Sequence, residues 1–346
     1  MKHLLLATAA TAMVAGPVAA QGIDFSGYAR FGFQYVEDAT GGFGNDEVTT
    51  NSRFRLNMNA SAETDFGATV YVFQRAQTSA NTGGATTSFA APRFGVRGGG
   101  LDFRVGNIAG AIEDMPGHYF GSRSAGIGLA GLGFQNMAGN MSGRAFVWDA
   151  FSSAGSGPAA NNGVEVVYSA AGFRAQLSYT DRNPSGETFT LTNVGGVGSV
   201  NVNPGEPRLA RVGATLAYTF GEYTVAVGTQ QLAHGPTAQQ KIQNELVIAT
   251  FGANFDQFRV NAQVADRRGV KKGVLQGSFD ATPEATLYGF IAHESGNRPG
   301  PDSDFNGTSG GIGLAYALGG GASIETGIVR ASNSTLAADF GLFFSF

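Results

Sequence analysis

The carboxy-terminal segment alternates between apolar and small or polar residues and ends on an aromatic. In residues 336–346, Phe340, Leu342, Phe344 and Phe346 occupy alternate positions. Successive side chains of a strand point to opposite faces, so this segment is a strand with one apolar side. An apolar strand at an open sheet edge invites aggregation, whereas a closed barrel in lipid has no edge. The segment therefore predicts a transmembrane β-barrel that is closed by its last strand.

Residues 1–20 have the pattern of a secretory signal peptide. Lys2 gives a positive start, residues 4–16 are almost wholly apolar, and small residues at 18–20 offer a cleavage site before Gln21. The alternative is a transmembrane helix, but that needs about 20 apolar residues and this run is shorter. We therefore expect an exported protein whose mature chain starts near Gln21.

The composition indicates strands with one face in lipid and the other in water. Glycine accounts for 53 of 346 residues and charged residues for 14%, against usual values of about 7% and about 25%. The mean hydropathy of −0.03 is expected when apolar and polar positions cancel along each strand. The absence of cysteine excludes disulfides and thiolate chemistry. The net charge of −4 argues against nucleic acid as a partner.

Alternation with a period of two recurs along residues 21–346, which we interpret as one barrel domain. In residues 50–63, apolar residues such as Phe54 alternate with polar ones that include Arg53 and Arg55. Arginine would be very costly in a dry core, so the polar face must meet water. Sixteen candidate strands show this pattern, and an even number is what bacterial single-chain barrels have. The candidates are 23–36, 50–63, 67–78, 88–98, 101–108, 163–170, 172–180, 208–220, 222–232, 243–253, 256–266, 270–281, 284–293, 308–318, 321–331 and 336–346.

The connections between the candidate strands alternate in length. The turns at 64–65 and 98–100 are short, while the connections at 37–49 and 109–162 are long. Short periplasmic turns and long extracellular loops are typical of outer-membrane barrels. We therefore expect an all-β, antiparallel up-and-down barrel with both termini in the periplasm. Residues 144–149 are assigned to a loop, because an odd strand would place the termini on opposite sides.

Four segments of the sequence resemble Gram-negative general porins. They are FSGYAR at 25–30, SRFRLNMNAS at 52–61, LAYTFGEYTVAVG at 216–228 and YALGGGASIETGI at 316–328. The last two look most like porins of purple non-sulfur and related α-proteobacteria. The resemblance implies a sixteen-stranded homotrimeric channel whose long third extracellular loop, residues 110–162, folds into the lumen as a constriction loop. It also implies that Phe346 and its strand are the signal read by the outer-membrane assembly machinery.

The candidate pore constriction combines an acidic loop with a basic wall. Glu113 and Asp114 lie in the first part of the long loop. We expect them to face arginines across the lumen. Charges at a constriction set ion preference, so this arrangement would make the channel selective. The candidate residues of the basic wall are Arg30, Arg53, Arg55, Arg75, Arg93 and also Arg97. The alternative interpretation is that they are ordinary solvated arginines of the lumen, and it weighs most for Arg93 and Arg97.

No residue pattern predicts an enzyme, a metal site or a cofactor. The histidines lack metal-ligand spacing, and no GxSxG motif or evident Ser/His/Asp set occurs. A GxGxxG match at 126–131 has no helical pattern behind it. The long loop is poor in acids after Asp114, which disfavours a calcium site. Asp102 and Arg104 share one strand face and are expected only to pair with neighbours.

We therefore expect a porin in the outer membrane of a Gram-negative bacterium that passes small hydrophilic solutes and ions by passive diffusion. Its expected partners are further copies of the chain in a homotrimer, outer-membrane lipid and lipopolysaccharide, and the assembly machinery. A substrate-selective channel for sugars or anions is the alternative. An aromatic slide or a lysine cluster would favour it, and Tyr28, Tyr71 and Phe73 are too few to decide. An outer-membrane enzyme or a soluble β-solenoid would need a Ser-His pair or a short repeat that the sequence lacks.

Overall fold

The structure, a computed structural model, describes eleven stretches of the chain. These are residues 22–37, 47–81, 84–119, 163–182, 190–191, 200–201, 209–232, 246–267, 270–296, 306–331 and 334–346. The predicted signal peptide and residues 120–162 of the predicted constriction loop lie outside the described residues. In the described stretches, no helix is long and apolar enough to cross a bilayer.

Nearly all the described residues belong to antiparallel strands. The strands are β1 Gly22–Val36, β2 Val48–Glu63, β3 Thr69–Asn81, β4 Gly84–Phe89, β5 Arg93–Gly98, β6 Leu101–Gly106, β7 Gly163–Ala170, β8 Phe173–Arg182, β9 Thr190–Leu191, β10 Val200–Asn201, β11 Leu209–Phe220, β12 Tyr223–Leu232, β13 Leu246–Phe255, β14 Phe258–Arg267, β15 Val270–Asp280, β16 Ala285–Ser295, β17 Gly307–Gly319, β18 Ala322–Arg330 and β19 Leu336–Ser345. Seventeen of them form one sheet, and β9 pairs with β10 separately. β4 and β5 pair with the two ends of β3 and together occupy one strand position in the barrel wall. We call each such strand position a stave. The sheet therefore has sixteen staves, as the sequence predicted.

The sheet closes on itself between its first and last strands. β1 pairs with both β2 and β19, so the first and last strands of the barrel are joined. The main-chain groups of Gly27 and Phe346 exchange hydrogen bonds of 2.9 and 3.1 Å, which carries the ladder to the final residue. Backbone polar groups have no partner in hydrocarbon, so this closure is what allows the sheet to span a bilayer.

Side chains separate by face as the alternation predicts. On β8, Leu177 and Tyr179 are exposed, whereas Gln176 and Ser178 are buried. On β19, Phe340 is exposed with its alternate neighbours. The exposed apolar residues form the lipid-facing band, and the polar residues point into the barrel.

One predicted strand, 88–98, is split into β4 and β5 around Pro92. Proline has no N–H to donate, so the ladder cannot continue through it. The N–H of Ala90 still donates to the carbonyl of Arg75 at 2.8 Å, which keeps the two halves in one stave.

The strand that precedes the long loop ends at Gly106, two residues before the end of the predicted range 101–108. Gly106 has a φ of 97°, and a Cβ there would lie 2.5 Å from the carbonyl oxygen of Pro92. Glycine tolerates both conditions because it has no side chain. The chain leaves the wall at this point.

The ring of Phe346 lies over a notch that Gly27 makes in the outer face of the barrel, where β1 and β19 join. A Cβ on Gly27 would lie 2.8 Å from that ring and would also collide with the carbonyl oxygen of Arg55. The Phe346 ring also stacks on Phe54, with ring centroids 5.9 Å apart. The absence of a side chain at Gly27 therefore allows the last residue to pack on the first two strands.

We predict that Gly27→Val destabilises the closed barrel by about 1–3 kcal/mol, the usual cost of overpacking. The measurement is the temperature at which the purified protein loses its folded electrophoretic mobility. Gly273→Val is the matched control, since a Cβ on Gly273 would meet nothing within 4 Å. Equal unfolding temperatures for the two variants would contradict a role for the notch.

Candidate functional site

The first part of the long loop turns into the barrel and packs on its inner wall. We call residues 107–119 the inner loop segment. Ile108, Ala111, Ile112, Met115 and His118 in this segment are all 3% exposed or less. Such burial of a segment that follows a lipid-spanning strand requires that it lie inside the lumen rather than outside the rim.

Apolar contacts hold the middle of the inner loop segment. Ile112 and Met115 join a buried cluster with Leu246 and Ile248, whose side chains point inward from β13. On β12, a Cβ on Gly228 would lie 2.9 Å from both Ile112 Cδ1 and Met115 Sδ. The inner wall is therefore apolar and recessed at the place where the loop covers it.

Hydroxyl and amide side chains hold the end of the inner loop segment. The Thr250 hydroxyl donates to the Pro116 carbonyl at 2.8 Å. The Asn261 amide donates to the Gly117 carbonyl at 2.8 Å, and the Gln263 amide donates to the His118 carbonyl at 2.7 Å. Because β13 and β14 supply these donors, the chain is fixed against the far side of the barrel.

An ionic cluster holds the start of the inner loop segment. Arg104 on β6 contacts Asp102 at 2.8 Å, Glu165 at 2.9 Å and Asp114 at 3.1 Å. Arg174 on β8 contacts Asp114 at 2.9 Å. The Asp114 carboxylate thus binds to the wall beside the loop, between two arginines.

Glu113 has a different environment from its neighbour Asp114. Its carboxylate accepts a 2.6 Å hydrogen bond from the Tyr119 hydroxyl within the same segment. Its charge also acts on the guanidinium groups of Arg55 and Arg75. Glu113 is therefore the acid of the pair that faces the basic wall.

The basic wall is held mainly by neutral groups. Arg53 donates to the Ser79 hydroxyl at 3.0 Å, and Arg55 donates to the Gln77 amide oxygen at 2.7 Å. Arg75 donates to the Asn57 amide oxygen at 3.2 Å. These hydroxyl and amide acceptors carry no charge, so they orient a guanidinium without neutralising it.

Aromatic rings also support the basic wall. The Arg55 guanidinium lies 5.1 Å from the ring centroid of Tyr28, and that of Arg93 lies 4.8 Å from the ring of Phe73. Arg97 lies 5.5 Å from the ring of Tyr71. Such cation–π contacts stabilise a cation without a carboxylate. Tyr28, Tyr71 and Phe73, which were too few to decide between a general and a selective channel, therefore face inward and contact arginines.

Arg30 occupies the most crowded position of the basic wall. It is directly opposite Arg53 in the register of β1 and β2, and it is 8% exposed. Like charges in opposite positions repel. The nearby carboxylate of Asp339, buried on β19, offsets part of this repulsion.

The inner loop segment crosses the barrel and ends opposite the basic wall. The arginines of that wall belong to β1, β2, β3 and β5, whereas the segment is bound to β6, β7 and β8 through residues 110–114 and to β13 and β14 at its end. β2 is the second stave and β13 the tenth of sixteen, so they face each other across the barrel.

Sequence reasoning missed the ionic cluster. It expected Asp102 and Arg104 to pair only with neighbours, and the structure extends that pair to Asp114 and Glu165. Glu165 and Arg174 lie on the inward faces of β7 and β8 and were not among the predicted site residues. The alternation of these strands carries no signal that their side chains meet the start of a loop.

The described residues contain no group of His, Asp and Glu side chains able to hold a metal ion. The GxGxxG match at 126–131 lies outside the described residues. The site therefore consists of charged, amide and aromatic side chains around a lumen, an arrangement suited to sorting solutes by size and charge.

Comparisons with known proteins agree on one family. A model of the Gram-negative porin family matches residues 7–336. A porin from Fuscovulum blasticum is 29% identical over 178 residues, covering 51% of this chain and 57% of that protein. A porin from Rhodobacter capsulatus is 32% identical over 150 residues, covering 38% of this chain and 49% of that protein. The chain spans about half the length of these curated relatives.

Solved structures share the fold. A mutant of Rh. blastica porin superposes with a TM-score of 0.68 at 21% identity, covering 94% of this chain and 100% of that one. A second mutant of the same porin gives 0.67 at 23% identity with the same coverage. At these identities the likeness establishes the closed sixteen-stranded barrel as the fold.

His118 gives the docking of the inner loop segment a dependence on pH. Its side chain is fully buried, and burial lowers the pKa of its imidazole to about 3. Its ring meets the Tyr119 ring edge-on, with centroids 4.8 Å apart. The docked loop therefore carries a neutral imidazole at pH 7.

We predict that acid weakens this docking between pH 6.5 and about pH 3. A released imidazole binds a proton near its ordinary pKa of about 6.5, whereas the docked one does so only near pH 3. The free energy of the docked state therefore becomes less favourable as the pH falls, by roughly 3 kcal/mol at pH 4.5.

Thermal unfolding at pH 7 and pH 4.5 measures this effect. His118→Asn is the control, because asparagine does not titrate while all other groups still do. The wild-type protein should lose more stability on acidification than the variant does. The same loss in both proteins would exclude His118 as the cause.

Proposed function

Because the chain belongs to the Gram-negative porin family, we propose that it forms a water-filled channel through which small hydrophilic solutes and ions diffuse passively. The family is one of outer-membrane channels and not of enzymes, and the chain is an outer-membrane protein of a Gram-negative bacterium. Its sixteen staves fit this role, since a barrel of about this size leaves an aqueous channel. The matched family and both curated relatives are described as porins, which does not favour the substrate-selective alternative.

The observation that carries the proposal is that the charge of Glu113, on the inner loop segment, acts on Arg55 and Arg75 of the basic wall. Opposite charges on two walls of a narrow pore create a transverse field. A dipolar solute can align in this field, whereas an apolar solute must displace oriented water and gains nothing in return. Charged constrictions of this kind set ion preference in channels.

We propose that Glu113 supplies most of the acidic side of the constriction. Asp114 contributes less, because Arg104 and Arg174 bind its carboxylate. The basic side consists of Arg30, Arg53, Arg55, Arg75 and Arg93. Among the described residues, five guanidinium groups form the basic side and Glu113 is the main acid of the loop, so we expect the channel to prefer anions.

We also propose that the chain assembles as a homotrimer in contact with outer-membrane lipid and lipopolysaccharide. Membership of the porin family supports the trimer, and the exposed apolar band supports the lipid contact. Phe346 is proposed as the signal for the assembly machinery. Its main-chain hydrogen bonds to Gly27, directly after β19, support this role.

We predict that the purified protein produces stepwise, ohmic conductance in planar lipid bilayers. A permanently open aqueous lumen passes current in proportion to voltage. Detergent without protein is the control. A bilayer that stays silent in the presence of the folded protein would reject the channel function.

We predict that Glu113→Gln moves ion selectivity towards anions. A unit charge about 7 Å from a passing ion contributes about 0.6 kcal/mol in water, which corresponds to roughly a 2–3-fold change in permeability ratio. The reversal potential in a salt gradient measures this ratio. Glu284→Gln is the matched control, because Glu284 is an exposed residue of the 281–284 turn outside the lumen. An unchanged reversal potential for Glu113→Gln would remove Glu113 from the constriction.

A further inference from the structure

Glu165 is a fully buried carboxylate at the root of the inner loop segment. It lies on β7, points into the barrel and is 1% exposed. Its Oε1 accepts from Arg104 at 2.9 Å. Its Oε2 accepts from the main-chain N–H of Gly110 at 3.1 Å and from the Gln176 amide at 3.0 Å. Both oxygens are therefore committed to donors on separate parts of the chain.

The bond to Gly110 fixes the point where the inner loop segment starts its path. Gly110 has a φ of 85°, a conformation that favours glycine, and the next N–H donates to the Ser178 hydroxyl at 3.0 Å. Glu165 and Ser178 thus hold two successive backbone N–H groups against the wall. Glu113 follows three residues after Gly110, so its position depends on this anchor.

The bond to Arg104 fixes the second acid of the loop. Arg104 reaches Glu165 and Asp114 through the same nitrogen, at 2.9 and 3.1 Å. Its side chain is 15% exposed and that of Asp114 is 35% exposed. Glu165 therefore holds the guanidinium in the orientation that binds Asp114 at the wall.

We propose that Glu165 is the positioning residue of the pore constriction and a determinant of its ion selectivity. It lies outside the path of permeating ions. Through Gly110 and Arg104 it holds Glu113 opposite the basic wall and holds Asp114 away from it. This inference rests on the proposed channel function and extends it to a residue that no solute touches.

Glutamine at this position tests the proposal sharply. Glu165→Gln keeps the shape of the side chain but replaces one accepting oxygen with an NH₂ group, which only donates. That group must face either Arg104 or the pair formed by Gly110 and Gln176. Either choice sets donor against donor in a buried place and releases one of the two anchors.

The experiment is a double-mutant cycle on the reversal potential in planar bilayers. Glu165→Gln alone should move selectivity towards anions by up to the 2–3-fold expected for Glu113→Gln, because the loop acid leaves its place. In a Glu113→Gln background the same change should produce less than half of that fold-change, since the acid that Glu165 positions is absent. Coupling of this kind is what a cycle isolates.

Glu325→Gln is the matched control. Glu325 is also a buried, inward carboxylate, 4% exposed, but it lies on β18, away from the strands that anchor the loop. Its effect on the reversal potential should be the same with and without Glu113. Additive effects of Glu165→Gln and Glu113→Gln, or no shift from Glu165→Gln, would overturn the proposal.

Arg104→Lys is the second variant, for use if Glu165→Gln does not fold. It keeps the charge, but its single ammonium nitrogen cannot reproduce the planar fork with which Arg104 holds Asp102 through one edge and Asp114 and Glu165 through another nitrogen. It should show the same non-additivity with Glu113→Gln, and additivity would again overturn the proposal. A silent wild-type bilayer would reject the channel function itself, whereas additive effects in conducting channels would reject only the role of Glu165.

Discussion

The need to pair every main-chain polar group in lipid governs this structure. A sheet can meet that need only by joining its two edges, because hydrocarbon offers no hydrogen-bond partner. β1 and β19 make the join along nine residue pairs, from Tyr28 and Ser345 to Val36 and Ala337. The terminal rung between Gly27 and Phe346 completes the ladder at the very end of the chain. The alternation of side chains, the lumen and the constriction all presuppose this closed cylinder.

Closure creates an interior, and the inner loop segment divides it into two unlike halves. Where the loop lies, the wall is lined by small and apolar residues such as Gly228 and Ile248, together with amides such as Gln263. Opposite the end of the loop, the wall carries arginines. The apolar cluster, the amide donors and the ionic cluster hold the loop at its middle, end and start, respectively. Three kinds of interaction thus keep one segment in place, and its acidic side chain gains a defined position.

Arginine has two separate roles in this barrel, and its partners decide which. Arg104 is surrounded by the carboxylates of Asp102, Asp114 and Glu165, so its positive charge is neutralised within the wall. Arg55 and Arg75 are held by amide oxygens and aromatic rings, so their charge remains available to the lumen. Sequence position alone does not separate these roles, because all three arginines point inward from strands. The proposed selectivity depends on the difference.

The sequence by itself determined the strands, their faces and the closure. Alternation is a local property, so β7 was predicted with its observed bounds, Gly163–Ala170, and only Pro92 broke a predicted strand. The tertiary structure decided which inward side chains meet. Arg104 and Glu165 are 61 residues apart, and no local pattern encodes a contact between a strand and the root of a loop. The period of two determines the face of the sheet on which a side chain lies. The curvature of the closed sheet and the path of the loop determine which residues it contacts.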